Sequence, residues 1–242
     1  MKTVITGATS GIGLELSRIL CRELEAKIIG VGRNTEKLLQ VRNELGDCFY
    51  PVTADLSRLE SINEIYVKSK TILGELDLLV NNAGFGIYKD VLEHSDEEIL
   101  SLAIVNFVTP LILTKKMLPL MKENSTVIFV ITAGIHVLMQ QLPVYGATKA
   151  GLHYAVKALR RELNRRKINV LTVYPGVVKT SFHSRAGGDV DKGLSPEHVA
   201  FEIVKAINKR KKEIYVPRYL SLSKILTYFL PPVKIPARRK SS

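Results

Sequence analysis

The scarcities of this 242-residue chain are its first constraint. It has only two cysteines, Cys21 and Cys48, 27 positions apart, with no C-x-x-C pair and no histidine cluster beside them. That pattern supports neither a disulfide framework nor a zinc site, so no metal is expected and a reducing cytoplasm is the expected home. No run approaches the roughly 20 apolar residues that cross a bilayer, so no membrane span is expected. Met1 and Lys2 lead straight into a strand pattern, without the separate charged and apolar regions of a secretion signal. Internal repeats, low-complexity blocks and Pro/Gly/Ser-rich linkers are also absent before the C-terminal tail. One domain is predicted over residues 1–217, followed by a basic, partly amphipathic extension over 218–242.

Acidic residues are scarce in one place in particular. The formal net charge is +12, yet residues 205–242 hold eleven Lys and Arg against the single acid Glu213, so nearly all the excess lies there. The basicity therefore describes an accessory surface rather than the body of the protein. Within it, Tyr219, Leu222, Ile225, Leu226 and Phe229 recur at helical spacing before Pro231-Pro232. An amphipathic helix with cationic flanks suits the surface of an anionic membrane. It equally suits a cover for a pocket or an oligomer interface. Nucleic acid is not an expected partner, because no reading helix or interleaved stacking aromatics accompany the charge.

What is present, at 46% hydrophobic and 24% charged residues, is an ordinary globular composition. Short apolar runs at residues 4–6, 27–31, 48–52, 76–80, 127–131, 169–174 and 213–216 read as strands. Helix-period segments at 12–24, 35–45, 59–73, 96–121, 145–164 and 196–208 separate them. Such alternation predicts an α/β fold, a doubly wound, Rossmann-type parallel sheet of about seven strands with helices on both faces. Ser57, Ser95 and Ser195 are candidate N-caps, the last followed by Pro196 in a first helical turn.

The first strand runs into Thr6-Gly7-Ala8-Thr9-Ser10-Gly11-Ile12-Gly13, a G-x-x-x-G-x-G turn between strand and helix. Gly7, Gly11 and Gly13 let the backbone approach a pyrophosphate, whose charge the N–H groups of Thr9, Ser10 and Ile12 and the helix end can hold. A glycine turn can also simply join a strand to a helix. The second strand ends in Gly30-Val31-Gly32-Arg33-Asn34, without the acid that pairs with ribose hydroxyls in NAD-binding proteins. Arg33 is able to form a forked pair with a 2′-phosphate, which favours NADP(H) over NAD(H); a solvated loop arginine is the plainer reading. Asp55, followed by Leu56, is placed either to accept from an adenine amino group or to cap a helix.

Tyr145-Gly146-Ala147-Thr148-Lys149 puts a phenol and an ammonium on one helix face. A tyrosine of pKa about 10 is a poor acid near neutrality, and a neighbouring lysine cation together with an oxidised nicotinamide is expected to lower it. Alone, such a pair is usually a surface feature. Together with the glycine turn, Asp55, Asn81-Asn82-Ala83-Gly84, Asn106, and Pro175-Gly176 through Val178 and Thr180, in this order, the chain closely resembles the short-chain dehydrogenase/reductase family over residues 1–217. The resemblance implies an oxidoreductase interconverting a carbonyl and a secondary alcohol, with Tyr145 as proton donor. It implies that Asn82, Ala83 and Gly84 adjoin the nicotinamide ribose, which Lys149 also binds, that Asn106 extends the proton route through a water, and that Pro175 to Thr180 hold the carboxamide end. Homodimers or homotetramers, through pairing of the long helices, are implied as well.

One position departs from the family pattern. Serine usually stands thirteen residues before the tyrosine, and here Thr132 does, keeping a hydroxyl for the substrate carbonyl but adding a methyl that limits its rotamers. Substrate selectivity is expected from His136, Val137, Leu138, Met139 and Leu142 on one wall and Phe182 and His183 on the other. Gly187-Gly188 reads as a lid hinge or a plain loop. An NADP(H)-binding sensor or scaffold with little turnover is the alternative in a different class. The family's epimerase and dehydratase branch is disfavoured by its different glycine spacing.

Overall fold

The computed structural model describes residues 1–189, 192–226 and 238–239. Seven strands form one wholly parallel sheet: β1 (Lys2–Thr6), β2 (Lys27–Gly32), β3 (Phe49–Thr53), β4 (Leu76–Asn81), β5 (Met121–Val130), β6 (Asn169–Pro175) and β8 (Glu213–Val216), in the order β3-β2-β1-β4-β5-β6-β8. A two-residue strand β7 (Gly188–Asp189) pairs antiparallel with β9 (Arg238–Arg239). The predicted doubly wound sheet is therefore present.

Both faces of the sheet are covered, which explains why its strands are apolar runs rather than alternating patterns. Neighbouring residues still choose opposite cores. Val4 faces one and Ile5 the other; Val127 and Phe129 face one, Ile128 and Val130 the other. The first core is closed by α3 (Ser61–Leu73), α5 (Thr109–Met117) and α6 (Pro143–Arg165), with α4 (Asp96–Ala103) lying against α6. The second is closed by α1 (Gly11–Leu24), α2 (Thr35–Leu45) and α8 (Pro196–Asn208). Each fully buried Leu or Ile contributes about 1.5–3 kcal/mol. Gly30 is glycine because the Phe49 ring lies where its Cβ would be.

Two of the three expected caps are made. Ser95 accepts from Glu98 N while the Glu98 carboxylate accepts from Ser95 N, a reciprocal box that starts α4. Ser195 accepts from His198 N at the start of α8. Ser57 caps no helix: its N–H and hydroxyl both donate to Asp55 Oδ1, forming a tight turn that delays α3 until Ser61.

The segment 96–121 is not one regular helix. A π-helical turn, Ile104–Val108, separates α4 from α5. Over Asp96–Leu120 it is long and apolar enough by composition to cross a bilayer, contrary to expectation. Its Leu102, Val105, Leu113 and Met117 are buried, and Thr109 and Thr114 donate to backbone carbonyls.

A second correction concerns the cysteines. Cys21, near the end of α1, and Cys48, just before β3, form a disulfide with Cα atoms 6.0 Å apart. Sequence separation gave no hint, because it is the β1-α1-β2-α2-β3 winding that returns both to the same face of the sheet.

In the extension, Arg218–Leu222 is a 3₁₀ turn followed by α9 (Ser223–Leu226). Tyr219, Leu222 and Ile225 are exposed. The rest of the predicted amphipathic run, from residue 227 through Phe229 and Pro231-Pro232, lies outside the described residues, as does the terminal Lys240.

Candidate active site

Strand order reverses direction between β1 and β4, and a crevice opens beyond their carboxyl ends, where open α/β sheets take their ligands. It is a cleft of about 1000 Å³. Thr9, Ser10, Gly11 and Ile12 line one end; Asn82, Ala83 and Gly84 line its middle; Thr132, Tyr145 and Lys149 line its depth. Pro175, Gly176, Val178 and Thr180 line it from beyond β6, and Arg33, beside Thr9 of the turn, lines it together with Asp55 and Leu56 from beyond β3. Of the expected catalytic and cofactor-binding residues, Gly13 and Asn106 are absent from the lining, and both act from behind it.

The glycine turn is built by steric necessity. Gly7 and Gly11 have φ of +68° and +55°. At Gly13 a Cβ would overlap the Gly7 carbonyl oxygen and lie 2.6 Å from Asn82 Nδ2. Asn82 Nδ2 donates to the carbonyls of Thr6 and Gly7, at 3.0 and 3.3 Å, while Asn82 N and Ala83 N both donate to Thr6 Oγ1. The end of β4 thus fastens the turn at the end of β1. Ser10 makes no side-chain cap and α1 has no acid in its first turn, so the positive end of the helix faces the cleft without a local anion. These features fit a dinucleotide pyrophosphate.

Asp55 is committed differently from either expectation, since Ser57 N and Ser57 Oγ occupy its Oδ1, at 3.0 and 2.8 Å. Those two bonds, chiefly the backbone one, hold its carboxyl below the usual range. It remains a cleft residue, and the charges of Arg33 and Arg58 lower its carboxyl a little further.

Deeper in, Lys149 is buried and its Nζ donates to Val130 O at 3.0 Å, 5.9 Å from the Tyr145 ring centre. Burial lowers its ammonium to about 8. Burial also pushes the Tyr145 phenol well above its ordinary value, with Tyr88 adding to the rise. Lys149 alone does not offset this rise, because desolvation in this apolar corner outweighs a cation whose hydrogen bond goes to a main-chain carbonyl; the expected lowering calls for an oxidised nicotinamide beside it as well. Thr132 Oγ1 accepts from Gly134 N at 3.1 Å and approaches Pro175 O at 3.5 Å.

Asn106 sits in the π turn, wholly buried, and is engaged at both ends of its amide. Oδ1 accepts from Phe85 N and Nδ2 donates to Phe85 O. Gly84 is glycine in the same corner, where a Cβ would lie 3.0 Å from Asn106 Oδ1 and 3.3 Å from Lys149 Nζ.

The selectivity walls need revision. Val137, Met139 and Leu142 line the cleft, but His136 and Leu138 do not. Leu138 is exposed, and His136 turns away to share a 2.8 Å hydrogen bond with the Tyr215 hydroxyl. It joins His153, Tyr174 and Tyr215, the two tyrosines stacked 4.4 Å apart. The short helix after Thr132 rotates it outward. On the opposite wall, Phe182 tilts against Tyr145 at 5.2 Å, and His183 Nδ1 shares a 2.8 Å bond with the Tyr88 hydroxyl. Tyr88 escaped the sequence reading. The only available signal was an apolar stretch, Phe85 to Tyr88, after the N-N-A-G run. Gly188 is buried against the Tyr88 ring.

The model of the short chain dehydrogenase family matches residues 2–190. The chain belongs to the short-chain dehydrogenase family. An uncharacterised oxidoreductase of Staphylococcus aureus is 30% identical over 211 residues, covering 86% of this chain and 91% of its own length. A Drosophila melanogaster dehydrogenase/reductase, SDR family protein 7-like, is also 30% identical, covering 88% and 71%. Among solved structures, a short-chain dehydrogenase from Sphingobium yanoikuyae in complex with NADPH superposes with a TM-score of 0.81 at 21% identity, covering 91% and 89%, and so speaks for the fold. An alcohol dehydrogenase of the archaeon Thermococcus sibiricus, complexed with 5-hydroxy-NADP, gives 0.80 at 26% identity, covering 88% and 94%. This short-chain dehydrogenase is thus an oxidoreductase whose fold binds a nicotinamide cofactor.

Proposed function

We propose that this short-chain dehydrogenase reduces an apolar ketone to a secondary alcohol with NADP(H). The observation that carries the proposal is the convergence of Tyr145, Lys149 and Thr132 in the same cleft as the uncapped α1 terminus. When bound, the nicotinamide dinucleotide supplies the hydride. The chain's own residues do the rest. Thr132 holds the substrate oxygen by its hydroxyl, and Tyr145, kept protonated by burial, donates a proton to that oxygen from Oη. Lys149 binds ribose hydroxyls through Nζ and places positive charge beside the phenolate that donation leaves. Asn106 is a positioning residue that fixes the Gly84-Phe85 backbone above Lys149.

The preference for NADP(H) rests on Arg33 and on the missing acid at the end of β2, and two structural neighbours are described with NADP-type ligands. The substrate is apolar because Met139, Leu142, Phe182 and Tyr88 enclose the space in front of Tyr145. Exposed Leu100, Ile112 and Tyr154 on α4, α5 and α6 supply the apolar surface that pairing of two copies would cover. An NADP(H)-binding protein with little turnover is the second reading, favoured by Phe182 lying directly on the Tyr145 ring.

NADPH oxidation over a panel of ketones, aldehydes and acyl thioesters, with wild type and Tyr145→Phe side by side, tests the proposal. Turnover that Tyr145→Phe abolishes supports it. Tight NADPH binding without turnover across the panel favours the second reading.

A further inference from the structure

The short helix α7 (Ser181–Arg185) lies directly over the glycine turn: the Thr180 Cγ2 at its start sits 2.8 Å from where a Gly11 Cβ would be. Its last residue, Arg185, lines the same cleft as Arg33, although the two are 152 positions apart and come from opposite sides of the crevice. Arg185 is tethered by Nε, which donates to Ser181 O at 2.9 Å, so its two Nη groups remain for a ligand. Among the described residues neither Arg33 nor Arg185 forms an ion pair. Among the described residues Asp55 is the one acid lining the cleft, and Ser57 already occupies one of its oxygens. Beyond Arg33 a polar cavity of about 460 Å³ continues, lined by Thr53, Asp55, Arg58 and Ser61. Arg58 differs from Arg185 in having Glu60 and Glu64 on the same cavity wall.

The geometry points to Arg185 and Arg33 as a two-guanidinium clamp for a phosphate monoester, the one on the adenosine ribose of the cofactor, brought together when α7 rests on the turn. The inference rests on the NADP(H) reading and adds a residue that the end of β2 does not supply. Two unpaired guanidinium groups at one cleft mouth repel, and a dianion between them converts repulsion into charge-assisted hydrogen bonds. The Arg185 guanidinium accordingly holds its proton less tightly than usual, first through burial and then through Arg33. The same contact makes α7, which carries Phe182 and His183 of the substrate wall, respond to the presence of the ribose phosphate.

The test is calorimetric binding of NADPH, NADH, 2′,5′-ADP and 5′-ADP to wild type, Arg185→Met, Arg33→Met and the double variant, with no turnover needed. Arg185 is solvent-accessible along its stem and only its guanidinium is partly desolvated in the cleft, so its replacement leaves the fold intact, as circular dichroism checks. Arg185→Met is expected to weaken NADPH and 2′,5′-ADP by roughly tenfold and to leave NADH and 5′-ADP within about twofold. The double variant should lose a factor different from the product of the two single losses, because both residues hold one phosphate. Equal weakening of all four ligands places Arg185 on the pyrophosphate and overturns the clamp. No change for any ligand overturns it too. If Arg33→Met alone discriminates, the cofactor preference stands and the clamp falls; if neither variant discriminates, the preference falls with it.

Discussion

The two ends of the cleft are made in different ways. At the pyrophosphate end, backbone does the work: glycines at positions where a side chain would collide, and Asn82 and Thr6 tying β4 to β1 through buried hydrogen bonds. At the substrate end, side chains do it: Tyr88, Phe182, His183, Met139 and Leu142 close the space through ring contacts and a Tyr88–His183 bond. The first arrangement has one solution and tolerates little change. The second can be refitted without touching the sheet, which lets one family fold serve many substrates.

The comparison is broken most severely at the chemical centre between them. Tyr145→Phe is expected to lower kcat by roughly 10²–10⁴-fold, the range of a lost general acid, while dinucleotide binding measured by fluorescence stays within about threefold of wild type. Gly13→Ala should cost about 1–3 kcal/mol by urea denaturation, as overpacking does, and weaken dinucleotide binding at the same time, since Gly7 and Asn82 must both move. Phe182→Ala at the other end should change stability by less, and instead alter KM across substrates of different bulk by more than kcat for any one of them.

Titration sharpens the contrast further. Burial brings the Lys149 ammonium down to about 8, so the alkaline limb of the kcat/KM profile should have its midpoint close to that value, and Lys149→Arg should shift it upward. The smallest effect belongs to the cluster behind the cleft. Burial and then Lys157 hold His153 down at about 4, with His136, Glu213 and Lys224 also facing it and Tyr174 bonded to Nδ1. The unfolded chain takes up this proton below about 6.5 and the folded chain does so only near 4, so stability falls as pH drops through that window. Denaturation midpoints between pH 7 and 4 should therefore decline less steeply in His153→Gln than in wild type.

Much of this was legible in the linear chain because periodicity and turn chemistry are local properties. Six sheet strands begin or end within a few residues of their predicted bounds, and β5 extends from the predicted 127–131 back to Met121. The G-x-x-x-G-x-G turn was readable because only glycine meets its steric demand. His136 was misplaced because a single short helical turn after Thr132 sets which way a side chain faces, and periodicity carries no information about that turn. Ser57 failed as a cap because its N–H and hydroxyl close a turn onto Asp55 and the helix begins only at Ser61.

The sequence by itself determined the parallel sheet, the phosphate turn and the Tyr145-Lys149 pairing, since each depends on residue type at fixed local spacing. Tertiary structure alone decided the Cys21–Cys48 bond, the presence of Arg185 and Arg33 in one cleft, the Tyr88–His183 contact and the rise in the Tyr145 phenol. Those depend on which distant segments the winding brings together and on how much water it removes, quantities that no local pattern encodes.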